Sequence, residues 1–176
     1  MSTLRETIVK REQTPISFND IKRALPSSLN LKFIMLDDLS EHPASIVGDA
    51  DAALILCTMH TLDGTATKIN HWVSIIKHGR GFIFFDPLGH SIERLTAKLH
   101  MTKHSLINWA KDKAVAVNSV RLQKWDSHIN TCGCHQIVRL LKRKLNNRQY
   151  TNWLKHGFLP PDQSVAMLCW SSLIHE

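Results

Sequence analysis

With 176 residues, 43% of them hydrophobic and 21% charged, the chain has the composition of a single globular domain able to bury a sizeable core. Its longest apolar runs, such as Ala52 to Cys57, are strand-sized, which excludes a membrane-spanning helix, and the charged stretch Met1 to Gln13 lacks the apolar centre of a signal peptide. The net charge of +7 is unevenly spread: Ser127 to Pro161 holds no acidic residue but carries Arg139, Lys142, Arg143, Lys144, Arg148 and Lys155.

Residues 1–14 read as a flexible or loosely packed arm, leaving 15–176 as the folded domain. After Pro15, Ser17 to Asp20 resembles a helix start, with Phe18, Ile21 and Leu25 on one face before Pro26 stops it. Leu31 to Leu36 is a short apolar run that suits a strand, although periodicity alone leaves helix open. Asp37 to Asp49 is loop-rich. Ala52 to Met59 reads as a buried strand, followed by a polar connection from Thr61 to Asn70. The strongest hairpin signal comes next: His71 to Lys77, a short glycine-containing turn, then Phe82 to Phe85, ended by Pro87 and Gly89. Ser91 to Leu99 and Ser105 to Lys111 suit helices, the second with Ser105 as its cap. Val115 to Gln123 is strand-like. Tyr150 to Leu154 suggests a short helix, and Asp162 is placed to cap a last apolar helix.

The segment Asn130-Thr131-Cys132-Gly133-Cys134-His135 runs into Ile137, Val138, Leu140, Leu141 and Leu145, which recur at helical spacing. An amphipathic helix over about 133–145 is expected, with Thr131 or Asn130 as its N-cap. Cys132 then stands at the positive end of a helix dipole, where a thiolate is favoured. Gly133 is expected to leave the backbone clear for a substrate chain. The competing expectation is a buried cysteine plugging the core. The four cysteines, Cys57, Cys132, Cys134 and Cys169, are too sparse for a disulfide scaffold and are expected as reduced thiols in an intracellular setting. Cys132, Cys134 and His135 lack a second ligand pair at useful spacing, so no metal site is expected.

Antiparallel pairing of the hairpin puts His71, opening its first strand, beside Asp86, closing its second. A histidine next to a carboxylate is an oriented general base. Joined by Cys132, the set has the parts of a nucleophile, base and orienter.

The order His71-Trp72, then Phe84-Phe85-Asp86-Pro87-Leu88-Gly89, then Thr131-Cys132-Gly133 resembles the adenovirus maturation protease and SUMO-protease superfamily, and above all its viral branch, over about residues 52–145. The resemblance implies an α+β cysteine protease fold in which a small, mostly antiparallel sheet packs against a central helix bearing the nucleophile at its N-terminus. It implies Cys132 as nucleophile, His71 as base, Asp86 as the group orienting His71, and Trp72 as the aromatic beside the site. The family usually sets a glutamine six or seven residues before the cysteine to bind the oxyanion; here those positions hold Asp126 and Trp125, and Gln123 lies further upstream. An ionised Asp126 only accepts hydrogen bonds, so Trp125, Gln123 and the backbone amide of Cys132 share the candidacy.

The function implied is a cysteine endopeptidase that cleaves viral capsid or core precursor proteins during virion maturation, through a thioester, as a monomer located in the virion and in the cytoplasm or nucleus of the infected cell. No cofactor is needed for that chemistry. DNA is a candidate activator, bound through Arg139, Lys142, Arg143, Lys144 and Arg148; the alternative for the same residues is a solvated helix face with cations near the end of the dipole. Two other functions fit parts of the pattern: a deconjugating protease for ubiquitin-like proteins, and a non-catalytic DNA-binding virion protein.

Overall fold

The chain is an α+β domain built on a five-stranded sheet, described over residues 3–174 of a computed structural model. Among these residues the helices are α1 (Leu4–Gln13), α2 (Phe18–Ala24), α3 (Ile92–Lys98), α4 (Ser105–Ala110), α5 (Cys132–Leu141), α6 (Asn147–Lys155) and α7 (Pro161–Ile174). The strands β1 (Leu31–Met35), β2 (Ala52–His60), β3 (Ala66–His78), β4 (Gly81–Phe85) and β5 (Val115–Val117) lie side by side in chain order. None of the helices is long and apolar enough to cross a membrane.

The sheet is mixed rather than mostly antiparallel. β2, β3 and β4 form an antiparallel meander, while β1 and β5 join its edges in parallel. A parallel neighbour needs a crossover connection, and both are present: residues 36–51, which begin with a 3-10 turn, and residues 86–114, which carry α3 and α4. β3 is also longer than its apolar stretch. Residues 66–70, expected as connection, pair with β2 as a two-stranded ribbon that reaches into solvent, so no apolar alternation marks them.

Alternation along β3 divides the core. Trp72 and Ile76 face a cluster formed with α2, α5, α6 and α7; Val73 and Ile75 face a second cluster formed with α3, α4 and residues 46–50. The segment expected as a loose arm is instead α1, closed by a capping box between Thr3 and Glu6 and packed on α7 with Ile8 and Glu12 buried.

α5 is buried almost all round, from Gly133 to Leu140, and stops at Leu141 rather than continuing to Leu145. Arg139 explains the stop. Its guanidinium is fully buried over the Tyr150 ring, and it donates from Nη1 to the Lys142 carbonyl at 3.1 Å and from Nη2 to the Leu145 carbonyl at 3.0 Å. These carbonyls lie at the negative end of the helix dipole, where a cation is stabilising. Arg139→Ala strands both carbonyls and leaves a cavity under Tyr150, and is expected to cost about 3 kcal/mol in chemical denaturation.

Candidate active site

The β3–β4 register pairs Ser74 with Phe85, which carries Asp86 to the flank of His71 at 2.7 Å between Asp86 Oδ1 and His71 Nε2. His71 sits well inside β3 rather than opening it. Asp86 is fully buried, and the turn after it wraps the carboxylate: the Leu88 amide donates to Oδ1 at 2.8 Å. Residues 118–123, expected as strand, hold this turn instead. Asn118 grips both main-chain groups of Asp86, and the amides of Leu122 and Gln123 both donate to the Pro87 carbonyl. Gly89 has φ +72°, and a Cβ there would stand 2.8 Å from the backbone of Val120 and Arg121, so this turn accepts no side chain.

Cys132 is the first residue of α5, and Thr131 is its N-cap, though the Thr131 hydroxyl does not cap. It donates to Asp162, which also accepts from His135 Nε2 at 3.1 Å and from the Lys124 amide at 2.9 Å. Asp162 therefore ties both ends of the 124–131 loop to α7, and is not spent capping that helix. The end of α1 holds the same loop: Asn130 donates to the carbonyls of Glu12 and Gln13. Gly133 faces no open groove. A Cβ at this position would lie 2.9 Å from Ile16 Cβ and 3.5 Å from the Trp72 ring. Gly133→Ala must push α5 off that contact; a loss of about 1–3 kcal/mol in stability is expected, together with slower Cys132 alkylation.

Three charges settle the electrostatics. Burial opposes ionisation of Asp86, but hydrogen bonds from His71 and His90 hold it far below the usual carboxylate range. Burial also favours a neutral His71, yet the hydrogen bond to Asp86 and the adjacent Cys132 sulfur outweigh it and raise the ring to about 10. For Cys132 burial raises the thiol, while the His71 hydrogen bond and charge, with the amides of Trp72 and Gly133, bring it below its ordinary value. Both shifts favour a thiolate–imidazolium pair, in which His71 is the proton donor before it acts as a base.

Cys132 and His71 open into a cleft of about 640 Å³, a size that suits a few residues of substrate. Gln123, Trp125 and Asp126 all line it. Gln123 is buried, its Oε1 without a partner among the described residues, and its side-chain amide, like the Trp125 indole, is an uncharged donor. Trp125 is exposed, and Asp126 accepts from the His128 amide and ring, which hold it ionised. Trp72 is buried behind the nucleophile; its carbonyl accepts from Gln136 at 2.9 Å.

The Cys-x-Cys-His run splits three ways: Cys132 to the cleft, Cys134 to Cys169 in the core, and His135 to Asp162. Of the basic residues assigned to DNA, Arg139 is withdrawn by burial, and Lys142, Lys144 and Arg148 are exposed beside half-buried Arg143. Asn118 and His90 join the site unexpected, and Asp162, expected only as a helix cap, joins it as the anchor of the 124–131 loop. His90 was visible as the residue directly after Asp86-Pro87-Leu88-Gly89; a buried asparagine and a helix-terminal aspartate carry no such signal. No family model matches the chain, and no curated protein matches it either.

Proposed function

We propose that this chain is a thiol hydrolase acting on amide bonds, and the observation that carries the proposal is the linked set Cys132, His71 and Asp86 opening into one cleft. The thiolate attacks the carbonyl carbon and forms the C–S bond, with Gln123 and the Cys132 amide as donors to the oxyanion. The imidazolium of His71 gives its proton to the leaving amine as the C–N bond breaks. Water then attacks the thioester, His71 takes its proton, and the thiolate departs, restoring the ion pair.

The cleft also suits a peptide main chain. β4 pairs with β3 only over residues 74–78, so among the described residues the same edge is without a strand partner at residues 66–73. Trp72 turns its amide to Cys132 and its carbonyl to Gln136 on that edge. By alternation Asn70 and Lys68 present theirs the same way, into the cleft they line. An extended substrate can add there as a strand.

The particular reading within that class is a viral maturation endopeptidase cleaving precursor proteins, supported by the resemblance of His71-Trp72, Asp86-Pro87-Leu88-Gly89 and Cys132-Gly133 in that order. Incubation with virion precursor polypeptides tests it: discrete cleavage products with a trappable thioester at Cys132 are expected. Cleavage confined to the C-terminus of ubiquitin-like proteins assigns the chain to deconjugation, and no turnover of either overturns the enzyme reading. DNA as activator rests on the acid-free span with exposed Lys142, Lys144 and Arg148. Duplex DNA is expected to raise the rate, and reversing these three charges to remove that gain. Affinity should fall with salt at a log–log slope of about −0.9 per phosphate contact. A rate that ignores both DNA and salt removes the activator.

A further inference from the structure

We propose that His90 is a positioning residue of this centre, holding the Asp86 carboxylate in the orientation that serves His71; the proposal rests on the thiol-hydrolase reading. Asp86 uses both its oxygens. Oδ1 accepts from His71 Nε2 at 2.7 Å and from the Leu88 amide at 2.8 Å, and Oδ2 accepts from His90 Nδ1 at 2.9 Å. An ionised carboxylate has no proton to give, so both imidazoles are the donors. Asp86 is fully buried and His90 nearly so, which rules out a casual surface contact. Without the His90 donor, Oδ2 is left in the interior with no partner among the described residues, and the carboxylate is free to turn its charge away from His71.

The far side of the His90 ring lines the cleft, with the exposed Trp125 set edge-on at 6.4 Å. His90 thus stands between the buried carboxylate and the substrate space. The titratable groups around Asp86 are few: His71 from β3, His90 from its own turn, and Cys57 from β2, whose thiol burial holds protonated. Cys132 of α5 faces His71. A change in the donor set of Asp86 therefore reads out at the Cys132 sulfur through one intermediary.

The test is the pH dependence of Cys132 alkylation by iodoacetamide, followed with thermal melting and steady-state kinetics on the whole chain. His90→Phe keeps a ring of similar size and removes the donor. Losing one donor lets the buried Asp86 take up a proton more readily, so the ion pair collapses at a higher pH. The acid limb of alkylation is expected to move up by about one pH unit, and kcat to fall about tenfold with KM within twofold. His90→Asn places an amide N–H close to the position of Nδ1 and is expected to restore the native limb. Lower melting in His90→Phe with an unmoved alkylation profile makes His90 core packing and overturns the proposal. Failure of the underlying reading looks different: in the unmodified chain Cys132 then reacts no faster at mildly acidic pH than an ordinary thiol. If His90→Phe does not fold, His90→Asn must still match the native profile; a limb displaced in that variant overturns the proposal.

Discussion

Cys132→Ala is expected to leave the chain folded and to remove the proposed amide hydrolysis, with kcat/KM reduced by at least about a thousandfold. The expectation singles out this thiol because the other three are set differently by the fold. Cys57 is fully buried in β2, where desolvation raises its thiol well above the ordinary value. Cys134 is raised by its hydrogen bond with Cys169 and by burial, and both lie wholly in the core between α5 and α7. Cys132 alone is half-buried, lines the cleft and has a lowered pKa. At pH 6 an alkylating agent is therefore expected to modify Cys132 first, with the label found on that residue by peptide mapping. Equal labelling of Cys132 and Cys57, or turnover that survives Cys132→Ala, rejects it as the nucleophile. The substitution removes one sulfur at a helix N-terminus and leaves the contacts of Gly133 and Asp162 intact, so a stability change within about 1 kcal/mol is expected.

The hairpin was the most legible part of the fold, because two apolar runs about a glycine turn admit little else, and its register followed from the turn. That register is what brings His71 to Asp86. The parallel edges were legible in principle: two helical stretches between Phe85 and Val115 are what a crossover requires, yet composition alone does not say which side of the meander the next strand joins. The stretch after Val117 misled because Val120 and Leu122 alternate like a strand, whereas Asn118 and the Pro87 carbonyl divert the chain into a clamp. α1 was hidden by charge. Its stability rests on Thr3 and Glu6 closing the first turn and on packing against α7, with Ile8 buried.

Burial accounts for two further differences between sequence and structure. Arg139 belongs to a basic run in sequence, but the helix phase turns it inward while Lys142 and Lys144 stay outside. Gly133 was expected to clear space for a substrate and instead clears space for Ile16. For Gly133 the neighbour that uses the space lies far away along the chain, whereas Arg139 turns to the Lys142 and Leu145 carbonyls and to Tyr150, all close by in sequence.

Asp86→Asn tests the electrostatics more sharply than loss of the nucleophile does. The amide keeps the size of the side chain and an acceptor for the Leu88 amide, but it removes the anion that two imidazoles now share. Burial is the leading influence on His71 and opposes its charge; with Asp86 neutral, the ring is expected to fall from about 10 to below its ordinary value of 6.5. The Cys132 thiol then loses its cationic partner, and alkylation shifts towards the ordinary thiol range, near pH 8.5. Catalysis needs the thiolate, present above the lowered pKa of Cys132, and the imidazolium, present below about 10. The unmodified chain is therefore expected to show a bell-shaped profile with its alkaline limb near 10, whereas in Asp86→Asn the two requirements are expected no longer to overlap near neutrality. A fall in kcat/KM of about 10³–10⁴ is expected, by the scale of carboxylate-to-amide changes in comparable triads. Retention of the bell shape with its alkaline limb in place means that Asp86 holds the turn but does not set the charge of His71, and the ion-pair mechanism is then wrong.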